Sequence, residues 1–561
     1  MSSPQVDVVV VGAGPVGLST ALQLGRAGIR TLVVERHDGL AHHPKAVGVH
    51  ARTMELFRQF GIADAVRRVG LPPERTLGIA WLTRMNGIEL GTIFLAEDAG
   101  KFAEFSAQSP EAPLFAPQHR VEPVLCAATT ESPQVELRMR TTVTEIVQGP
   151  DTAEVVLVTE DGGTETIRTR YVVAADGARS RIRERHGFGD VAGEPYGESV
   201  NVYFRADLDG VVAGRPYLLW WIANRDVQGT FWPTDSDGHW IFNFEGDSSR
   251  PDEYFSEALC AGLIREASGL SDLGIEVRSV LRWRHEQAVA DRWRIGRILL
   301  VGDAAHRFPP HGGFGMNSGI QDSVNLAWKL AAVVRGQAGE ELLDTYEAER
   351  KPVAEYNIEQ VALNTKRMAE TGWLMSDRGI LDAIELPEGE AARRTIAEAI
   401  PKQREQFWSQ GQQFGRIYHA GAVVADGSAP VESSVDTYRP TTYPGARLPH
   451  FWLTDARGGT RLSTIDLLGG GFVLFTMSGP AGRWRVAAKR VSDELGVPIA
   501  VHHLGSDLRP VDSSDLALLE IEPGGALLVR PDSHVGFRAR TSPVDPAAEL
   551  RAALTTILRR A

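Results

Sequence analysis

The segment Val8-Val9-Val10-Val11-Gly12-Ala13-Gly14-Pro15-Val16-Gly17 constrains this chain more than any other. A β-rich run from Val6 leads directly into glycines at the G-x-G-x-x-G spacing, and a helical pattern follows to about Ala27. The order is strand, tight turn, helix. Gly12 permits the turn, Gly14 lets the backbone approach a pyrophosphate, and Gly17 lets the helix pack closely on the strand. With Pro15 and Val16 opening the helix, its free N–H groups and positive dipole end face the phosphates. A second strand, Thr31 to Val34, delivers Glu35 eighteen residues beyond Gly17, where a carboxylate can accept hydrogen bonds from both ribose hydroxyls of an adenosine. A bare glycine triplet is often only a loop; strand, helix, second strand and terminal acid together point to dinucleotide binding, without separating FAD from NAD.

Two further segments separate them. The strand at Tyr171 to Ala174 runs into the turn Asp176-Gly177, with Arg179, Arg181 and Arg183 following. The strand at Ile298 to Val301 ends in Gly302-Asp303, and Phe308-Pro309-Pro310-His311-Gly312-Gly313-Phe314-Gly315-Met316-Asn317 then opens a helix continuing to Leu330. Asp303, at a strand end, is placed to accept a hydrogen bond from a hydroxyl of a flavin's ribityl chain. The glycines let the backbone of Gly313 to Asn317 approach a planar ring, and the helix start aims its N–H groups at the pyrimidine edge that becomes anionic on reduction.

These motifs resemble the class A flavoprotein aromatic hydroxylases, the para-hydroxybenzoate and phenol hydroxylase superfamily. Within it, His43-Pro44-Lys45-Ala46-Val47-Gly48-Val49-His50-Ala51-Arg52-Thr53-Met54-Glu55 and Tyr346-Glu347-Ala348-Glu349-Arg350-Lys351-Pro352 are similar to the hydroxylases of bacterial aromatic polyketide pathways, of the tetracenomycin and angucycline types. The resemblance runs over essentially the whole chain. It implies that Arg36 joins Glu35 near the adenosine, Gln118 binds the ribityl or phosphate region, and Val143 touches adenine through its backbone. Lys45 and Ala46 fall beside the phosphates or ribityl chain, where relatives often carry arginine; lysine keeps the charge and loses the bidentate fork. By the same resemblance Asp176 and Gly177 serve both FAD and a transient nicotinamide.

The implied activity is FAD-dependent monooxygenation. NADPH or NADH reduces the flavin, oxygen adds at C4a, and the hydroperoxide hydroxylates a phenolic or polycyclic polyketide-like ring while water is kept out. A base is not obligatory, and none stands out; His306 and His311 lie near the expected flavin face, where a histidine also serves as an ordinary cap. The competing readings are Baeyer-Villiger-type oxygen insertion beside a ketone on the same scaffold and a flavin-binding protein without turnover.

With 561 residues the chain exceeds one core, so an α/β architecture of several units is expected. They are a Rossmann-like FAD-binding domain over 1–189, with substrate-domain strands near 76–115, and its second part with long helices over 286–394. Between these lies an inserted mixed β-sheet substrate domain over 190–285, followed by a linker over 395–445. The last unit, 446–561, resembles the thioredoxin-like domain of phenol hydroxylases and contains no cysteine, which excludes thiol chemistry there. Aromatic strands such as Tyr217 to Trp221 and Trp240 to Phe244 suggest a flat apolar surface for a substrate, with Trp221, Phe231 and Asn243 as candidate pocket residues. Near Thr395 to Gln410 the pattern predicts a helix.

A net charge of −13 argues against a broad nucleic-acid or anionic-membrane footprint. No apolar run approaches the roughly 20 residues needed to span a bilayer, and no signal-peptide pattern opens the chain. Cys126 and Cys260 stand far apart, with no disulfide framework or metal cluster, so a reducing cytoplasm is expected. The expected partners are a small aromatic or polycyclic substrate and O2, with a homodimer as one open assembly.

Overall fold

The computed structural model describes residues 5–193, 197–372, 379–455, 459–477 and 482–560. Val8–Val11 lies at the heart of a six-stranded sheet, paired in parallel with Thr31–Val34 on one side and Tyr171–Ala174 on the other. Val135–Arg138 extends the sheet beyond Thr31–Val34, and Ile298–Leu300 extends it beyond Tyr171–Ala174. These strands are near-continuous runs of Val, Leu and Ile because both of their faces are buried in the core, leaving no side for polar residues. The helix Pro15–Arg26 packs against a long helix, Phe314–Val334, so closely that a Cβ at Gly319 would strike Val16 and the Cα of Gly302.

Every parallel strand that carries a motif ends at the same edge of this sheet. Gly12 follows Val11, Glu35 follows Val34, Asp176 stands two residues past Ala174, and Asp303 three past Leu300. Parallel pairing alone brings four distant segments together at the carboxyl ends, the usual ligand edge of an open α/β sheet.

A seven-stranded sheet stands over that edge, in the spatial order Glu276–Arg284, Glu198–Arg205, His239–Glu245, Gln228–Pro233, Tyr217–Ala223, Gly78–Leu82 and Glu89–Phe94. Alternation along its strands divides two environments. Trp220, Phe231, Phe242 and Phe204 form one face and are buried beneath the helix Glu257–Ser268, where Phe231 stacks on Phe242 with ring centroids 4.4 Å apart. Trp221, Thr230, Asn243 and Asn201 point the other way.

The helix expected near Thr395 to Gln410 is broken into pieces: Glu390–Ala399, a 3-10 turn Ile400–Gln403, Arg404–Phe407 and Gln410–Phe414. Pro401 has no N–H to continue the first helix, and Trp408 leaves helical geometry at ψ 78°. The stretch that follows has no regular structure to about residue 450, yet it buries Tyr418, Ala422 and Tyr438, so it is packed rather than loose.

The C-terminal unit is a mixed sheet ordered Ile499–His503, Phe472–Thr476, Ala526–Val529 and Val535–Ala539, with the helices Gly482–Leu495 and Pro546–Ile557 packed together beside it, a thioredoxin-like arrangement. Buried charge fastens it to the rest. Arg530 donates to Glu349 at 2.7 Å and also meets Asp532, while Asn325 and Lys329 of the long helix reach the same carboxylates. A second cluster joins Arg447 to Glu55, which also binds Arg52 at 2.8 Å. Such groups are tolerated without water only when each finds its partner.

Candidate cofactor and substrate site

One cavity of about 1320 Å³ runs from the strand ends to the face of the seven-stranded sheet. Gly12, Gly14, Pro15, Val16, Gly17, Glu35, Arg36, Lys45, Ala46, Gln118, Val143, Asp176, Gly177, Asp303, Pro310, Gly313, Gly315 and Met316 all line it, as do Trp221 and Asn243.

The glycine loop is shaped by two different demands. Gly12 has φ +108°, and a Cβ there would run into the carbonyl of Ala175. Gly14 has ordinary extended geometry, and a Cβ on it would meet nothing within 4 Å. The space above Gly14 is thus open to a ligand, not filled by protein. Glu35 pins this loop by accepting from the N–H of Ala13 at 2.8 Å and from that of His37 at 3.0 Å.

Gln118 and Glu122 hold the segment carrying Lys45 and Ala46. Gln118 Nε2 donates to Glu122 Oε1 at 2.5 Å, Glu122 Oε2 accepts from the N–H of Ala41 at 2.8 Å, and the N–H of Gln118 donates to the carbonyl of Ala46 at 2.7 Å. Lys45 then projects from a fixed turn toward the strand ends, close enough to stabilise the Asp303 carboxylate.

Asp176 accepts from the N–H of Ile182 at 3.3 Å through one oxygen, while Oδ1 is buried with no hydrogen-bond partner among the described residues. Burial raises its pKa, and the same cause raises that of Asp303, which opens onto the cavity yet has protein walls around it. Both carboxylates line the cavity, where a ligand hydroxyl or N–H can donate to them. Opposite them, Gly312 and Gly313 take left-handed φ values of +83° and +69°, and Gly313 caps the helix Phe314–Val334. Only glycine adopts such a pair cheaply, and the result is a flat approach to free helix N–H groups.

Asn317, in the first turn of this helix, is fully buried: its side chain accepts from the N–H of His50 at 2.9 Å and donates to the carbonyls of Gly48 and Gly313 at 3.0 and 2.7 Å. It staples the glycine turn to the neighbouring loop. Two of the sequence expectations are corrected. Phe231 faces the opposite side of the sheet, because it is one residue out of phase with Thr230 and Trp232, which do line the cavity. His306 is also inside the frame, bound to Asp322 at 2.5 Å, whose other oxygen holds Arg350 at 2.7 Å. His311 does reach the cavity; its Nδ1 meets Thr365 at 2.9 Å, and burial lowers its pKa to about 3, so the ring is neutral.

Several wall residues escaped the sequence reading. Asn201, Thr230 and Trp232 could have been found from the polar phase of their alternating strands, as Asn201 is in Val200-Asn201-Val202. Phe105, Trp408 and Trp452 come from three distant stretches and carry no local signal.

Known proteins match this architecture along the chain. Residues 5–361 match the family described as FAD binding domain, and residues 441–561 match that described as aromatic-ring hydroxylase, C-terminal. The chain belongs to the FAD-dependent aromatic-ring hydroxylases. Tetracenomycin A2 monooxygenase-dioxygenase of Streptomyces glaucescens is 36% identical, covering 100% of this chain and 98% of its own. A crystal structure of the flavin-dependent monooxygenase PieE in complex with FAD and substrate superposes with a TM-score of 0.92 at 33% identity, covering 100% of both chains. Aklavinone-11 hydroxylase, solved with FAD and aklavinone, gives 0.85 at 33% identity, again over 100% of both.

FAD is the cofactor of this hydroxylase, and the residues present fit it. The open space over Gly14, the orphaned Oδ1 of Asp176 and the left-handed glycine pair are features that a bound flavin dinucleotide explains. No helix among the described residues is long and apolar enough to cross a membrane.

Proposed function

We propose that this hydroxylase acts on a polycyclic phenol or quinone of the aromatic polyketide kind, with NADPH or NADH as reductant, in the cytoplasm. The observation that carries the reading is continuity: the cavity that begins at Gly14 runs past Gly313 onto the aromatic sheet face at Trp221 and Asn243. A cofactor and a flat substrate can therefore lie end to end in one enclosure.

Within it, Gly14 to Val16 and the helix N-terminus behind them hold the pyrophosphate, Glu35 and Arg36 take the adenosine ribose, and Val143 flanks adenine. Lys45 and Gln118 serve the phosphates and ribityl chain, and Asp303 accepts a ribityl hydroxyl. Pro310, Gly313, Gly315 and Met316 bring backbone to the flavin ring. Bound FAD supplies oxygen activation after reduction by the nicotinamide. The chain's own part is placement and exclusion of water. Trp221 and the neutral His311, whose rings lie parallel with centroids 6.5 Å apart, frame the passage between cofactor and substrate. Asp176 and Gly177, at the cavity edge beside the exposed Arg179 and Arg181, serve the visiting nicotinamide as well as FAD.

Stopped-flow reduction of the FAD-loaded protein by NADPH and by NADH, with and without phenols, naphthoquinones and polycyclic quinones, tests this. Acceleration by a polycyclic ligand, followed by a product gaining one oxygen atom, is the expected outcome. Reductant consumption with peroxide and no oxygenated product from any ligand would sink it.

A further inference from the structure

The sheet wall of the cavity carries a line of polar side chains with atoms that the described residues leave unsatisfied. Asn201, Asn243 and Thr230 sit opposite one another on three adjacent strands, and Trp221 continues the row on a fourth. The three polar residues are only 4%, 8% and 1% exposed. Asn201 Oδ1, Asn243 Oδ1 and Thr230 Oγ1 have no hydrogen-bond partner among the described residues. Nor do the indole Nε1 atoms of Trp232 and Trp283, which line the same cavity.

Packing does not explain this concentration. The other face of the same strands is filled by Phe204, Phe231 and Phe242, with apolar contacts throughout. A buried polar group without a partner loses its hydration for nothing, so five on one wall mark a place where the partner is a ligand. None of the five bears a charge. Amides and a hydroxyl both donate and accept, and indoles donate, so together they suit neutral hydroxyl and carbonyl oxygens.

The row also has a length. Trp221 stacks toward His311, which precedes the glycine pair at the flavin end. At about 4.8 Å per strand spacing, Thr230, Asn243 and Asn201 lie about 5, 10 and 14 Å from Trp221. A single phenol ring beside Trp221 reaches only the first station. We infer that Asn201, Asn243 and Thr230 select the substrate by reading hydroxyl or carbonyl oxygens along one long edge of a fused-ring system. The inference rests on the proposed function in taking the sheet end of the cavity as the substrate's place.

The test uses the FAD-loaded full chain and two ligands of the same shape, 1,8-dihydroxyanthraquinone, whose hydroxyls stand about one strand spacing apart on one long edge and so match two adjacent stations, and unsubstituted anthraquinone. Binding is followed by perturbation of the flavin spectrum. Wild type is expected to prefer the dihydroxy compound by about tenfold or more, the scale of satisfied buried polar groups. The Asn201→Leu/Asn243→Leu variant removes that preference through weaker binding of the dihydroxy compound alone. Thr230→Val, nearly isosteric, removes part of it and decides the matter if the double variant does not retain FAD. A preference that persists in the variants, or equal weakening of both ligands, overturns the inference. A wild type that binds phenol but neither anthraquinone overturns it while leaving hydroxylation intact; one that binds no aromatic ligand overturns the proposed function as well.

Discussion

Gly14 and Phe231 show how differently two residues on neighbouring surfaces answer to substitution. Gly14 has open space above it and no unusual φ, so Gly14→Val costs the apo fold little while filling the cradle. The expected outcome is an unchanged circular dichroism spectrum and an FAD Kd raised by at least about tenfold. Phe231 is fully buried on the far side of the sheet, so Phe231→Ala destabilises by about 3–5 kcal/mol in denaturant unfolding and leaves ligand preference unchanged. Asp303 resembles Gly14 more than Phe231: its side chain opens onto the cavity, although the surrounding protein walls raise its pKa. Asp303→Asn therefore removes a cofactor acceptor without disturbing the packing. Its apo Tm is expected to hold or rise while FAD affinity falls, and a lower apo Tm would contradict the assignment. Gly14 was legible in the sequence because spacing alone identifies it. Phe231 was not, because the phase of an aromatic strand is invisible until one knows which face meets a helix.

At the scale of elements, legibility followed chain locality. Each strand-turn motif could be read because it is completed within about ten residues, and parallel pairing then gathered the motifs at one edge. Helical periodicity survives across Pro401, so the pattern near Thr395 to Gln410 predicts one helix where the chain forms several pieces. Asn317 belongs to the helix turn expected beside the flavin, and its side-chain amide ties that turn back to Gly48 and His50. The turn it secures contains a pH dependence. Burial lowers His50 to about 4 and His311 to about 3, and both bracket the glycine pair. The unfolded chain binds protons on these rings below about pH 6.5, whereas the folded chain does not until far lower, so stability rises with pH across that window and falls on acidification. Melting of the apo protein between pH 7 and pH 4.5 should show this slope, and His311→Gln should flatten it. An unchanged slope in that variant would assign the acid sensitivity elsewhere.

For the whole molecule, the decisive contacts join residues that no sequence window contains together. Arg530, Glu349, Asp532, Lys329 and Asn325 form one buried network, in which burial lowers Lys329 to about 8 and the surrounding cations hold Glu349 ionised. Arg530→Met leaves two carboxylates without their guanidinium and is expected to cost about 3–5 kcal/mol, measured by chemical denaturation of the holoprotein. The helix Phe314–Val334 carries the flavin-facing turn at one end and Lys329 near the other, so the same variant should also release FAD more readily. Loss of stability with unaltered FAD retention would show that the two ends act independently.

That network has a consequence for anyone recombining this chain with its relatives. Asn325 and Lys329 come from one part of the sequence, Glu349 from another and Arg530 with Asp532 from the C-terminal unit, so a splice anywhere between them divides a charge-balanced set. A chimaera can exchange the C-terminal unit only by carrying compatible partners across the seam; otherwise the foreign unit arrives with a mismatched lock, and the disturbance is passed along a single helix to the flavin.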